Sequence, residues 1–301
     1  MTPGPGEPIE IAGDDQRAAV DSLGGGLRLY SAHGRELLDG YAAGESSPSG
    51  RGQILIPWPN RLEDGSYEFD GRSHQLPLNE PERGNAIHGL VRWDEWTVGE
   101  REPQRVVMKH ALQPQPGYPF SLALTVEYAL STRGLSVRTT ATNVGEDACP
   151  YGSGAHPYLT VGTETVDAVI LRVPGRTVLH SNERGLPVDA VPVEGTEYDF
   201  RRPRPIGSTK LDHAFTDLKR DQDGRARVEL AGRPGMGLTL WVDEAYGYLM
   251  LFSGDPLPDV DRRSLAVEPM TCPPNAFRTG EALARLEPGS SFTGAWGITP
   301  S

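Results

Sequence analysis

The commonest pattern along this chain is an alternation of apolar and polar residues with a period of two. Residues 66–69 alternate in this way, Asp70 and Gly71 follow, and residues 72–76 alternate again. Two alternating segments joined by Asp-Gly are typical of a β-hairpin with a tight two-residue turn. We therefore predict a hairpin over residues 66–76.

The same pattern recurs in longer segments. Residues 120–128 are predicted to pair with residues 135–140 across a turn at residues 131–134. Further strands are predicted at residues 226–230, 238–242 and 291–298. Side chains of a strand point alternately to its two faces, so these segments indicate sheets with one buried face each.

Helical periodicity is almost absent. No window of 12 or more residues keeps an apolar face at helical spacing without a proline or glycine interrupting it. The 36 glycines and 27 prolines are spread evenly and supply turns between short strands. No repeat of 20–50 residues argues for a propeller or solenoid. The sequence predicts an all-β fold, a sandwich or a barrel, with very little helix.

Length and composition favour one domain. Hydrophobic residues make up 37% of the 301 residues, which is enough for a large core, and no linker divides the chain. We expect a single domain over residues 1–301, with a flexible tail at residues 1–8 and a surface loop at residues 45–50.

Charge and cysteine content exclude several classes of protein. The formal net charge is −12, whereas a nucleic-acid-binding protein needs a basic surface. Apolar stretches such as residues 248–252 have the length of a strand and are too short to span a membrane. The first residues lack the features of a signal peptide. Cys149 and Cys272 are expected to be free buried thiols, which suits a cytoplasmic protein.

Several catalytic motifs are missing. The chain has no glycine-rich phosphate-binding loop, no Gly-x-Ser-x-Gly nucleophile motif and no His-Glu-x-x-His zinc motif. We therefore expect neither a nucleotide cofactor nor a metal.

Polar residues among prolines, glycines and aromatics mark five other segments, at residues 57–61, 85–89, 154–158, 211–215 and 267–275. In two of them His156 and Glu268 each precede a proline, which keeps the preceding residue extended. A titratable side chain on such a restricted backbone is well aimed for catalysis. The alternatives are structural: the prolines only end strands, His88 forms a structural hydrogen bond, Asp212 caps a turn, and Arg61 is a surface charge.

Taken together and in this order, these segments resemble the aldose 1-epimerase, or galactose mutarotase-like, family. The resemblance covers residues 10 to 300, and its most specific parts are Asn60-Arg61 with the glycine and aromatic positions up to Gly71, and the block at residues 155–158. It implies a large antiparallel β-sandwich that binds a sugar on its concave face. It also implies an enzyme without a cofactor that interconverts the α and β anomers of a free aldose.

The resemblance assigns roles to individual residues. It implies that His156 is the general acid at the ring oxygen and that Glu268 is the general base at the anomeric hydroxyl. We expect the pKa of His156 near neutrality and that of Glu268 raised, since proton transfer is most efficient with pKa values near the working pH. The implied sugar-binding residues are Arg61, His88, Asp212 and Asn60, with Trp58, Tyr158 or Trp93 as an apolar platform.

Two segments depart from the family pattern. Residues 88–93 read His-Gly-Leu-Val-Arg-Trp where many members have His-Gly-Gly and a later Gly-Phe, and residues 273–276 replace an aspartate-containing turn. Both are expected at the rim of the sugar site, where Arg92 would add a contact. The identity of the aldose therefore remains open.

Two other functions remain alternatives. A hexose-6-phosphate 1-epimerase of the same superfamily would need arginines converging on a phosphate. The available arginines are Arg83, Arg92, Arg201, Arg202 and Arg204. A non-catalytic sugar-binding or regulatory protein would not need the acid–base pair. The sequence is compatible with a monomer or a homodimer.

Overall fold

A computed structural model describes residues 8–255, 257 and 261–301. The tail predicted for residues 1–8 lies outside the described residues except for Pro8, which begins the first strand rather than belonging to a tail. The strands up to the middle of the chain are β1 (Pro8–Gly13), β2 (Gln16–Asp21), β3 (Leu27–Ala32), β4 (Arg35–Glu36), β5 (Ile54–Leu55), β6 (Arg61–Glu63), β7 (Ser66–Phe69), β8 (Arg72–Gln75), β9 (Asn85–Ile87), β10 (Thr97–Glu102), β11 (Arg105–Leu112), β12 (Leu122–Ser131) and β13 (Gly134–Asn143). The remaining strands are β14 (Cys149–Tyr151), β15 (Gly154–Ala155), β16 (Tyr158–Leu159), β17 (Ile170–Arg172), β18 (Thr177–Ser181), β19 (Pro187–Pro192), β20 (Arg204–Pro205), β21 (Asp212–Thr216), β22 (Ala226–Ala231), β23 (Gly237–Val242), β24 (Tyr248–Phe252), β25 (Leu265–Met270), β26 (Ala284–Leu286) and β27 (Ser291–Pro300).

Helical structure is minor in the described part of the chain. It consists of the one-turn α-helix α1 (Ala276–Thr279) and three 3-10 turns at Pro48–Gly50, Pro81–Arg83 and Val166–Ala168. No helix among the described residues is long and apolar enough to cross a membrane.

Two large antiparallel sheets form the body of the fold. One has nine strands in the order β10-β11-β12-β13-β27-β23-β22-β17-β20. The other has eight, in the order β19-β18-β21-β24-β25-β15-β5, with β16 also paired to β25. Smaller sheets are formed by β1 to β4, by β14 with β26, by β6 with β9 and by β7 with β8. The predicted all-β class is confirmed, and the architecture is the large antiparallel sandwich that the resemblance implied.

The predicted strands are present. The hairpin at Asp70-Gly71 joins β7 and β8, with Tyr67 opposite His74. Strands β12 and β13 form the longer predicted pair, whose turn is tighter than expected because pairing continues to Ser131 and Gly134. Strands β22, β23 and β27 cover the other three predicted segments.

The hydrophobic core lies between the two large sheets. Val126, Val137 and Trp296 of the nine-stranded sheet belong to the same buried cluster as Leu249 and Leu251 of the eight-stranded sheet. Each fully buried aliphatic side chain contributes about 1.5–3 kcal/mol. This shared core holds the eight-stranded sheet rigidly and leaves its other face available for a site.

Alternation along β24 and β25 separates these two faces. Leu251 and Val267, which are opposite each other, point into the sandwich, whereas Met250 and Glu268, also opposite each other, point away from it. A second, smaller apolar cluster on this outer face contains Leu179, Ala214, Tyr248, Met250 and Met270. The site described below lies beside this cluster.

Both cysteines fit their prediction: Cys149 and Cys272 are buried and free. The segment at residues 45–50 is largely exposed, as predicted for a surface loop. It ends close to the site, since a Cβ on Gly50 would lie 3.0 Å from the His156 ring.

Candidate active site

An open cavity of about 490 Å³ lies on the outer face of the eight-stranded sheet. Seven of the eight predicted site residues line it: Asn60, Arg61, His88, His156, Tyr158, Asp212 and Glu268. They come from five separate segments, so the fold brings together residues that are up to about 200 positions apart.

Strand register places His156 opposite Glu268. Gly154 pairs with Met270, and Tyr158 pairs with Ala266, on either side of the two residues. Between these two pairs, the same antiparallel register places His156 opposite Glu268. Pro157 and Pro269 lack the N–H groups that a continuous ladder would use, so the ladder is interrupted where these side chains meet.

The backbone of His156 is also held from its other side. Its N–H donates to the Gln53 carbonyl at 3.0 Å, and its carbonyl accepts from Gly52 N–H at 2.9 Å. Its ring stacks on the Tyr158 ring, with centroids 5.0 Å apart and an interplanar angle of 5°. These contacts fix both the position and the plane of the imidazole.

His156 and Glu268 form a buried pair. The distance from His156 Nε2 to Glu268 Oε1 is 3.4 Å, and the two side chains are 7% and 3% exposed. Among the described residues, His156 Nδ1 and Glu268 Oε2 have no hydrogen-bond partner. Leaving a polar atom buried and unpaired costs about 1–3 kcal/mol of stability. Unpaired atoms of this kind are typical of groups that are kept for function.

Burial shifts the two pKa values in opposite directions. Burial and the charge of Asp212 raise the pKa of Glu268 well above its usual range, against the opposing effect of Arg61. Burial, together with the charges of Arg51 and Arg92, lowers the pKa of His156 to about 3. The raised glutamate was expected. The expectation of a histidine titrating near neutrality is wrong, because a buried imidazole cannot easily carry a charge beside two arginines. Both shifts therefore favour a neutral pair, in which the proton is on Glu268 and His156 has none.

His88 is oriented by the backbone of Asn60. The Asn60 N–H donates to His88 Nδ1 at 3.3 Å, and the His88 N–H donates to the Asn60 carbonyl at 2.9 Å. Because Nδ1 accepts a hydrogen bond, a neutral His88 carries its proton on Nε2 and is a donor there. Burial, with the charges of His156 and Arg92, lowers the pKa of His88 well below its usual range, which keeps it neutral.

Both residues of this contact have left-handed backbone conformations, with φ of 56° at Asn60 and 64° at His88. Asparagine tolerates this region, but such a conformation is uncommon for histidine. Strain of this kind is frequent at functional sites.

The position of Arg61 is set by the two-stranded sheet of β6 and β9. Strand β6 pairs with β9, with Arg61 opposite Ile87, so Arg61 lies next to His88, which follows β9. On its other side, Asn275 N–H donates to the Arg61 carbonyl at 2.7 Å, and Asn275 Oδ1 accepts from Glu63 N–H at 3.0 Å. Asn275, which belongs to the segment that departs from the family pattern, thus supports the strand that carries Arg61.

Asp212 and the apolar side of the cavity also follow from register. Asp212 is opposite Phe252, and Ala214 is opposite Met250, which is in turn opposite Glu268. Phe252, Met250 and Ile87 line the cavity with the polar groups. The cavity therefore combines hydrogen-bonding groups with an apolar wall, as sugar sites require.

Of the three aromatic residues predicted as a possible platform, Tyr158 lines the cavity, and Trp58 and Trp93 do not. Trp58 does not line the cavity: it is 3% exposed and packs against Phe277, with ring centroids 5.4 Å apart. Trp93 is half-exposed and borders a smaller cavity, together with Arg92. Tyr158 does line the cavity, but its ring contacts the His156 ring and the Arg51 guanidinium, so it supports the imidazole. The aromatic residue of the apolar wall is Phe252.

The arginines considered for a phosphate do not converge. Arg83 is on the rim of the 490 Å³ cavity, whereas Arg92 borders the smaller one. Arg201, Arg202 and Arg204 line a separate groove.

Three side chains are close enough to be tested as a metal site. One ligand-type atom each from His88, His156 and Glu268 lies within 4.8 Å of the others. His88 could contribute only Nε2, because Nδ1 accepts the Asn60 N–H. That hydrogen bond leaves the proton on Nε2, where a metal ligand must have none. The set is therefore poorly suited to a metal and well suited to hydrogen-bonding a hydroxyl.

Sequence reasoning missed Glu80, Asn275 and Phe252 as parts of the site. Glu80 accepts hydrogen bonds from Arg61 across a loop. Phe252 belongs to a predicted strand-length apolar run, but alternation does not say which face of a strand carries a site. No local pattern marks Glu80, since its partner is 19 residues away.

Fold and site together define a class of protein: an antiparallel β-sandwich with a buried histidine–glutamate pair in a polar cavity on one sheet. The chain belongs to the aldose 1-epimerase family, whose model matches residues 9–299.

Among similar proteins, the uncharacterized protein YihR of Escherichia coli K12 is 35% identical over 285 residues, covering 94% of this chain and 90% of its own length. The maltose epimerase of Levilactobacillus brevis is 25% identical over 247 residues, covering 73% of this chain and 71% of its own. The crystal structure of an aldose epimerase homologue from C. elegans superposes with a TM-score of 0.88 at 18% identity, covering 98% of both chains. At that identity the likeness concerns the fold alone.

Proposed function

We propose that this protein is an aldose 1-epimerase, which interconverts the α and β anomers of a free aldose by acid–base ring opening and closure. The observation that carries the proposal is the buried pair of His156 Nε2 and Glu268 Oε1, 3.4 Å apart in a cavity lined by Arg61, His88 and Asp212. One acid and one base are sufficient for this reaction, and no cofactor is needed.

The cycle begins when the proton of the pair moves from Glu268 to His156. The Glu268 carboxylate then removes the proton of the anomeric hydroxyl, while His156 donates a proton to the ring oxygen. The bond between the anomeric carbon and the ring oxygen breaks, and the open-chain aldehyde forms.

Rotation about the adjacent carbon–carbon bond presents the other face of the aldehyde. The hydroxyl that was the ring oxygen attacks this face and returns its proton to His156, while Glu268 returns a proton to the former carbonyl oxygen. The proton then moves back from His156 to Glu268, which restores the initial protonation state of the pair, so no proton is gained or lost over the cycle.

The surrounding groups have binding roles in this proposal. Arg61 and the Nε2–H of His88 donate hydrogen bonds to sugar oxygens and stabilise the charge that develops there. Asp212 accepts hydrogen bonds from sugar hydroxyls, and Phe252 packs against an apolar face of the ring.

Two features support this proposal over the alternatives. The separation of the five arginines argues against a phosphate handle, and so against a hexose-6-phosphate 1-epimerase. A protein that only binds a sugar gains nothing from two buried, unpaired polar atoms on an acid and a base.

The proposal further includes a single domain that acts in the cytoplasm as a monomer or a homodimer. One buried cluster containing residues from Ile9 to Ile298 supports a single domain. Two free buried cysteines suit a reducing compartment.

The test is the optical rotation of freshly dissolved α-D-glucose, α-D-galactose and maltose, followed with and without protein at a pH where spontaneous mutarotation is slow. Acceleration by the wild type that is lost in Glu268→Gln is the expected result. If these sugars and their 6-phosphates all mutarotate at the spontaneous rate, the protein is not a mutarotase of common aldoses.

A further inference from the structure

Arg61 has more acidic neighbours than it can pair with. Five carboxylates border the cavity, and three of them act on Arg61: Glu80, Asp212 and Glu268. The charges of all three act on the guanidinium, and together they outweigh burial and raise its pKa. Which carboxylate pairs with Arg61 therefore matters for the reaction, because a guanidinium bound to Glu268 would stabilise the ionised carboxylate and weaken it as a base.

In the structure, Arg61 pairs with Glu80. Arg61 Nε donates to Glu80 Oε2 at 2.9 Å, and Arg61 Nη2 donates to Glu80 Oε1 at 3.0 Å. This is the two-point geometry that restricts a guanidinium most strongly. The two side chains are only 11% and 12% exposed. Arg61 Nη1 donates to none of the described residues and remains available for a sugar oxygen.

Glu80 itself is held rigidly. Its backbone exchanges two hydrogen bonds with Asn85, at 3.0 and 3.1 Å, and the Asn85 amide donates to Glu80 Oε2 at 2.8 Å. Arg184 fastens the same loop by donating to the carbonyls of Arg83 and Gly84 at 2.8 and 2.7 Å. The carboxylate is thus fixed independently of Arg61, as expected of the group that positions the other.

We propose that Glu80 is a positioning residue that holds Arg61 in a two-point ion pair, so that Arg61 binds the sugar through Nη1 and does not pair with Glu268. Glu80 acts through Arg61 and does not touch the reacting atoms. This inference rests on the proposed function for its kinetic consequence, but its electrostatic consequence exists in the free protein.

The variant that tests it is Glu80→Gln, which keeps the shape of the side chain and removes its charge. The freed Arg61 turns toward Glu268 and Asp212 and favours the ionised form of Glu268. We expect the pKa of Glu268, followed by carbon NMR of its carboxyl group in the unliganded protein, to fall in this variant. We also expect kcat/KM to fall by about tenfold, and the alkaline limit of activity to move to lower pH.

A matched control is Glu127→Gln, which removes another arginine–glutamate pair, with Arg105 on the nine-stranded sheet far from the cavity. It should leave the rate, the pH profile and the pKa of Glu268 unchanged. Combining Glu80→Gln with Arg61→Gln provides a second control: if Glu80 acts through Arg61, removing its charge has little further effect once the guanidinium is gone.

The possible failures are distinguishable. An unchanged pKa of Glu268 in Glu80→Gln, or a full additional loss of rate in the Arg61→Gln background, would overturn the positioning role. If the wild type catalyses no mutarotation, the proposed function fails, but the NMR titration still decides whether Glu80 controls the charge around Glu268.

Discussion

The outer surface of the nine-stranded sheet and the cavity on the eight-stranded sheet each contain a pair of a basic and an acidic side chain, but the two pairs differ in exposure and in the basic residue. On the nine-stranded sheet, Arg105 Nε lies 2.6 Å from Glu127 Oε2, with both side chains 30% exposed. In the cavity, His156 and Glu268 are 3.4 Å apart and nearly inaccessible. The exposed pair is in contact with water. In the buried pair, poor solvation raises the pKa of Glu268 and lowers the pKa of His156, so that the charged form of each side chain is disfavoured.

Burial and residue type together cause this difference, because a buried histidine can lose its charge whereas an arginine stays protonated even in the nearly buried Arg61–Glu80 pair. Exposed ion pairs contribute about 0–1 kcal/mol and are screened by salt. The buried pair has two unpaired polar atoms and offers little stability. The predictions below test this difference between the two regions, beginning with the largest effect.

Removing either member of the buried pair should abolish catalysis without unfolding the protein. For Glu268→Gln and His156→Asn we expect the rate to fall by about 10²–10⁴-fold, because each loses a proton-transfer group. Polarimetry measures the rate, and thermal denaturation measures the stability. A near-normal rate in either variant would refute the role of that residue.

Shortening Arg61 should affect binding and rate together. Arg61→Ala removes a hydrogen-bond donor to the sugar and the guanidinium that pairs with Glu80, so we expect kcat/KM to fall by about tenfold to a hundredfold. Steady-state kinetics with the preferred aldose measure this change. Unchanged KM and kcat would place Arg61 outside the sugar site.

The pH dependence should follow the single proton of the pair. Activity should persist through mildly acidic pH, because His156 takes up a second proton only near its pKa of about 3. It should fall at alkaline pH, where Glu268 loses the shared proton above its raised pKa. A rate profile measured at constant ionic strength checks both limits. An acidic limit near pH 6–7, the range of an unperturbed histidine, would contradict the shared-proton state.

The smallest effect is expected on the nine-stranded sheet. Glu127→Gln should change the free energy of unfolding by less than about 1 kcal/mol and leave the mutarotation rate unaltered. Chemical denaturation at low and high salt tests this, since any contribution should shrink as salt is added. A salt-independent loss of several kcal/mol would mean that the exposed pair is structurally important.

Sequence alone was sufficient for the fold class and for most of the predicted residues that line the cavity, for identifiable reasons. Strands β7, β8, β12 and β13 carry their pattern locally, in alternation and turn residues. His156 and Glu268 were recognisable because each precedes a proline. Their direct contact depends on the pairing of β15 and β16 with β25, and strand pairing between distant segments leaves no local signal.

The errors have a common origin. Trp58 was placed in the sugar site and is in the core, and His156 was given an ordinary pKa. Both errors concern burial. Whether a residue is buried depends on which distant segments of the chain pack against it. The role of Asn275, which supports the Arg61 strand, was invisible for the same reason.

The register that pairs His156 with Glu268 also limits how this chain can tolerate changes in length. Deleting or inserting one residue within β25 ahead of Glu268 would turn every later side chain of the strand to the opposite face. The Glu268 carboxylate would then point into the core, and a valine or a proline would face the cavity. Length variation is therefore expected to be harmless in the exposed segment at residues 45–47 and to abolish function within a few residues of Glu268.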